Sequence, residues 1–223
     1  MHSRRHFFAK ALASGVAFTP ASRLFAANDF WNTKDPSTWS EDEIVLITSK
    51  SPWARASVPG FKGAADPTGI SSGAPVDTGR GAGARRISGP QNVTIRWESA
   101  QPIRDALRAP LPPDFDGHYV ISVTNLPIAP RGRGPQGAPE DAPDDVLDRL
   151  QNGTTLQVKG KDPGEAGIAR RTRIGSILFG FSKDYLPLSP ADREIIFKLD
   201  TSQMVLQAKF DGKEMVYHGK LAV

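Results

Sequence analysis

The chain contains no cysteine. That rules out disulfide staples, thiolate metal sites and a lipid-anchored form built on a cysteine. Histidine is nearly as scarce. Of four, only His118 and His218 lie beyond residue 27, and two histidines so far apart read as surface or hydrogen-bonded residues before they read as ligands or a general base. No G-x-S-x-G elbow supports a Ser-His-Asp triad. No apolar run approaches the length needed to span a bilayer as a helix, and no acidic residue precedes Asp29.

What the first residues do contain is an address. Ser3-Arg4-Arg5-His6-Phe7-Phe8-Ala9-Lys10 has the S-R-R-x-F-x-K layout of a twin-arginine export signal, with Arg4, Arg5, Phe7 and Lys10 as its reading residues. An apolar segment over 11–18 follows, then Pro20, Arg23 and the small pair Ala26-Ala27. The expectation is a removable signal over 1–27, the twin-arginine translocase as the partner during export, and a periplasmic or secreted destination.

Removing that signal changes the charge. The whole chain carries 28 Lys and Arg against 24 Asp and Glu. Four of the basic residues, Arg4, Arg5, Lys10 and Arg23, fall within 1–27, so the remainder is balanced at 24 each. A neutral chain has no electrostatic footprint for nucleic acid or an anionic membrane. Residues 28–223 suffice for one domain with its own core.

Composition then divides the chain. The segment 28–58 holds three of the four tryptophans, Trp31, Trp39 and Trp53, around one helix announced by the capping box Ser40-Glu41-Asp42-Glu43 and an apolar stripe of Ile44, Leu46 and Ile47. The segment 59–91 turns to Gly, Ala, Ser, Pro and Arg, which bury too little to offset the entropy of ordering, and reads as a flexible loop. From 92 to 223 a β-rich α+β domain is expected. Val93, Ile95 and Trp97 alternate with polar residues as a half-buried strand does, and 100–109 reads as a short helix ended by Pro110. A strand over 119–126, a Gly/Pro/Arg loop over 127–139 and a helix from Pro143 to Asn152-Gly153 follow. Further strands fall at 154–159, 168–173, 176–181, 194–199, 204–210 and 214–223. The Asp211-Gly212 dipeptide predicts a two-residue turn closing a carboxy-terminal hairpin, with Phe210 opposite Lys213, Ala208 opposite Met215 and Leu206 opposite Tyr217.

Several of these stretches occur as a set: Trp39-Ser40-x-x-Glu43, Ser51-Pro52-Trp53-Ala54, Arg96-Trp97-Glu98-Ser99-Ala100 with Pro102-Ile103-Arg104, and Met215-x-Tyr217-His218-Gly219-Lys220-Leu221. In these motifs the chain resembles an uncharacterised family of exported bacterial proteins. The resemblance implies export and a shared fold, and no activity, cofactor or catalytic residue.

The remaining constellations are mostly accounted for by bland chemistry. Asp114-Phe115-Asp116-Gly117 has two carboxylates at calcium-loop spacing without the other ligands, and reads as a turn. Glu140, Asp141, Asp144, Asp145 and Asp148 complement a helix dipole. Gly79-Arg80-Gly81-Ala82-Gly83 lacks the strand, helix and Lys-Ser/Thr of a phosphate loop, and Arg131-Gly132-Arg133-Gly134 is one copy of an RNA-binding repeat in a neutral chain. Two groups remain as ligand or partner anchors. Arg170, Arg171 and Arg173 sit on an expected strand, where Arg171 and Arg173 share a face and can fork onto carboxylates or phosphates, or simply guard an edge. Trp31, Trp39 and Trp53 offer a stacking platform for a sugar or protein, or straps that hold an extended segment on a core.

The expected fold is α+β, with a mostly antiparallel sheet, a sandwich being one arrangement, two or three short helices and a carboxy-terminal hairpin. The expected function is a non-catalytic exported binding or assembly module that needs no cofactor or metal and engages a periplasmic protein or glycan. The alternatives are a cysteine-free hydrolase using carboxylates such as Glu98 and Asp105, and an accessory subunit exported with a larger partner.

Overall fold

Alternation of large apolar and polar side chains builds two sheets. The computed structural model describes residues 29–62, 92–127 and 143–223, with 143–145 as backbone only. The expected signal peptide with Arg4, Arg5, Phe7 and Lys10, most of the 59–91 loop and most of the 127–139 loop lie outside the described residues.

The first sheet is formed by β1 (Ala54–Ser57), β3 (Val93–Trp97), β4 (His118–Thr124), β8 (Ile177–Ser182) and β7 (Ile168–Arg171), in that spatial order. The second runs β2 (Gly60–Phe61), β10 (Met204–Phe210), β9 (Ile195–Asp200), β5 (Thr154–Val158) and β6 (Gly164–Glu165). Strands β11 (Val216–Tyr217) and β12 (Lys220–Leu221) make a separate hairpin. Every pairing among the described residues is antiparallel.

Register explains the core. Trp97 lies opposite Ile121, which lies opposite Phe179. In the second sheet Ala208 faces Phe197, which faces Leu156. These apolar rows meet face to face as a sandwich. Trp97 stands edge-on to Phe210 at 5.8 Å, and Phe179 and Phe181 lie 6.0 and 6.3 Å from Phe197. Strand β4 is buried on both sides, because its outer residue Val120 joins Leu178 and Phe115 in a second cluster. Gly180 makes room for that cluster, since a Cβ there would come within 2.9 Å of the Phe115 ring.

Among the described residues, three α-helices complete the fold. Helix α1 (Glu41–Ser49) starts on the expected capping box, with the Ser40 side chain accepting from the Glu43 amide and Glu43 accepting from the Ser40 amide. Helix α2 (Gln101–Leu107) turns Pro102, Ile103 and Ala106 inward and packs on α1. Helix α3 (Pro143–Asn152) packs beside β7.

Three sequence expectations need correction. The segment carrying the tryptophans is integral to the sandwich, because its residues 54–57 are the edge strand β1, paired with β3. Gly60 and Phe61, expected within the loop over 59–91, are paired with Val205 and Met204 instead. Strand β10 does not pair across Asp211-Gly212. Phe210 lies opposite Ile195, and the chain makes its carboxy-terminal hairpin at His218-Gly219 instead. The Asp211 carbonyl accepts from Glu214 and Met215, a turn of helical character that carries the chain away from the sheet. Gly212 is wedged there, its Cβ position 2.5 Å from the Asp192 carbonyl, so tertiary packing overrides the local hairpin signal.

Candidate functional site

The most unusual chemistry of the described residues gathers where α2, the carboxy-terminal hairpin and the tryptophan-bearing segment converge. On α2, Gln101 and Asp105 are one helical turn apart, so the Gln101 amide donates to Asp105 Oδ1 at 2.6 Å. Tyr217 on β11 donates its hydroxyl to Asp105 Oδ2 at 2.9 Å. Burial, and then the neighbouring Asp105, push the Tyr217 hydroxyl well above its ordinary pKa, so the phenol stays protonated and donating. Both Asp105 oxygens are thus committed to neutral donors.

Arg104 and Arg108 flank Asp105 in sequence and pair with neither it nor any other described residue. Both are exposed. The Arg108 amide donates to the Arg104 carbonyl at 2.8 Å, which carries the helical bonding into the cap, and both arginines line one depression. Like charges at that spacing repel. Arg108 also caps the helix in the left-handed region, at φ 50° and ψ 33°, a place usually left to glycine.

The opposite wall is a 3-10 turn, Pro36–Thr38, held by Asp35, which accepts from the Ser37 amide and hydroxyl at 2.8 and 2.6 Å. Pro36, Ser37, Arg104, Asp105 and Arg108 line a shallow open depression of about 420 Å³. Beside it, His218 is another non-glycine residue with positive φ, 48°. The Asn32 side-chain oxygen accepts from its amide at 2.6 Å, and its ring lies 4.1 Å from that of Tyr217. Three non-glycine residues have positive φ among those described, and two of them frame this one place. Strain of that kind concentrates at functional sites.

A second depression of about 390 Å³ lies between α3 and β9, lined by Val146, Arg149, Leu150 and Asp200 among others. Its carboxylate is already neutralised. Lys198 and Lys62 both bond Asp200 and hold its pKa down at about 2.

The residues singled out from the sequence land elsewhere. Trp31, Trp39 and Trp53 are 3, 6 and 0% exposed, so they present no ring face to a ligand and the platform reading is corrected to that of straps. Trp31 stands edge-on to Trp53, whose indole donates to the Ala222 carbonyl at 2.7 Å. Arg170 forms an ion pair with Asp114. Arg171 and Arg173 are exposed but do not share a strand face, because β7 ends at Arg171 and Arg173 belongs to the following turn, closed by Thr172 and Ser176. Glu98 is 8% exposed and held by Arg96 on the same strand side, inaccessible to a substrate. The Asp116 carbonyl engages His118 Nδ1 at 2.8 Å. Among the described residues no three His, Cys, Asp or Glu side chains gather as a metal site would need.

Asp105 was visible in the sequence only as a loose carboxylate. The signal that could have found its neighbourhood is the Arg104-x-x-x-Arg108 spacing just before Ala109-Pro110, together with the Tyr217-His218-Gly219 turn. The chain matches no protein-family model, no curated protein and no solved structure.

Proposed function

We propose that this chain is exported through the twin-arginine pathway and then acts as a binding or assembly module, taking an anionic group of its partner at Arg104 and Arg108. One observation carries the reading. Two guanidiniums stand without an ion-pair partner at the rim of a depression while the carboxylate of Asp105 bonds Tyr217 and Gln101. An unneutralised guanidinium pair fits a planar anion that accepts forked hydrogen bonds. The hydrolase alternative asks for an accessible carboxylate, and Glu98 and Asp105 are each occupied. The export part of the reading rests on the S-R-R-x-F-x-K layout and the resemblance to exported bacterial proteins.

Both parts are testable. Changing Arg4 and Arg5 together to Lys should trap the precursor in the cytoplasm, because the transporter reads guanidinium and not charge alone; processing and release at the parent level would refute export. Nuclear magnetic resonance titration of the mature protein with citrate and with inorganic phosphate should shift residues 36–37, 104–108 and 217–218. The shifts should vanish in Arg104→Gln/Arg108→Gln. Turnover in a hydrolase panel that survives this double change but disappears in a folded Glu98→Gln protein would overturn the binding reading.

A further inference from the structure

Resting on that binding reading, we infer that the depression at Arg104 and Arg108 receives an extended acidic peptide whose carboxylates occur at alternate residues. The two arginines are four residues apart along a helical ridge, about 6 Å at 1.5 Å rise per residue. The retained bond from the Arg108 amide to the Arg104 carbonyl preserves that distance into the cap. In an extended chain, side chains on one face recur every second residue, about 6.6 Å apart. A Glu-x-Glu segment therefore meets both guanidiniums at once, each forked on its own carboxylate.

The shape of the site favours an extended chain over a helix. A helix with side chains is about 10–12 Å across, and an open depression of about 420 Å³ lined by five residues offers it little to pack against. Acidic chemistry is favoured by the diversion of the nearby carboxylates: both Asp105 oxygens are taken by Gln101 and Tyr217, and Asp35 is held by Ser37, so neither is ion-paired to the arginines. The left-handed Arg108 supplies an independent argument. Glycine at a helix cap of φ 50° relieves the Cβ strain that arginine carries, yet arginine stands there, and its left-handed backbone swings the side chain onto the same rim as Arg104.

The test uses the full mature protein and fluorescently labelled synthetic peptides of one length: alternating Thr-Glu repeats, the same residues with the glutamates in adjacent pairs, and an alternating Thr-Gln control. The alternating peptide should bind about tenfold more tightly than the paired one, the Thr-Gln peptide should not bind, and added salt should weaken the complex. Arg104→Gln and Arg108→Gln should each cost about tenfold, while Arg171→Gln with Arg173→Gln leaves affinity unchanged. Arg108→Gly separates binding from folding: it should melt no lower than the parent and still lose the peptide. Equal affinity for alternating and paired peptides, or preference for an acidic helix or for oligogalacturonate, would overturn the extended-peptide inference while the anion titrations still upheld a binding module. Absence of any binding by peptides, citrate and phosphate together would overturn both.

Discussion

Tyr217 does more at its position than fill space. Its hydroxyl occupies one oxygen of Asp105 and so keeps that carboxylate from folding over onto Arg104 or Arg108. Tyr217→Phe should therefore have two effects. Loss of one partly buried hydrogen bond costs about 1 kcal/mol of stability, and the released Asp105 should swing to its arginine neighbours and weaken anion binding. Adding Asp105→Asn should restore binding without restoring stability. The pH dependence has a definite sign. The folded phenol titrates higher than the unfolded one, near 10, because burial and Asp105 oppose its ionisation. Its stabilising contribution is complete below that unfolded value and fades as the pH rises beyond it. Thermal melts of parent and Tyr217→Phe should converge in strongly alkaline buffer, and a gap that stays constant there would contradict this account.

Between elements, one tight joint is the place where α3 ends and β5 begins. Gly153 lies against the end of β9, its carbonyl accepting from the Asp200 amide at 2.7 Å. A Cβ on residue 153 would sit 2.5 Å from the Asp200 carbonyl, a backbone atom that cannot swing aside. Gly153→Ala should therefore destabilise by about 2 kcal/mol, whereas Gly160→Ala, with open space around it and φ 81°, carries only the local backbone strain. Equal loss of thermal stability in the two variants would show that the joint is not close-packed. Elements of this kind were legible to different degrees. The alternation in Val93-Thr94-Ile95-Arg96-Trp97 and the Ser40 capping box are local signals, and both elements stand as read. Strands β2 and β6 are two residues each and exist only because a neighbour pairs with them, so no periodicity could announce them. The Asp211-Gly212 turn shows the reverse case, a strong local signal overruled by a partner strand, β9, that offered β10 a longer ladder.

For the molecule as a whole, the two five-stranded sheets fulfil the α+β expectation with a mostly antiparallel architecture. The candidate site was far less legible. Its side chains come from residues as distant as Asn32 and His218, joined by one hydrogen bond, and nothing in composition or spacing records a contact across that separation. What sequence chemistry did show was the size of the tryptophans, and size alone left open whether they faced a ligand or the core. Trp53 is fully buried and bonded to Ala222. Removing residues 215–223 should expose Trp53 and cost several kcal/mol, which tryptophan fluorescence and melts would reveal as a red-shifted, non-cooperative protein. A truncated chain that melts like the parent would contradict this role for the terminal segment.

The bond from Trp53 to Ala222 also has a kinetic side. It joins residues 169 positions apart, and such a closure carries its loop entropy before any contact rewards it. Strands β9 and β10 are joined by a short connection and have a local route to pairing, but the joining of the Trp31 and Trp53 pair to Ala222 must wait until residue 222 has been made. Closing of the Trp53 site is accordingly a late step in folding, and a nascent chain that has not reached residue 222 holds that indole without the carbonyl it donates to.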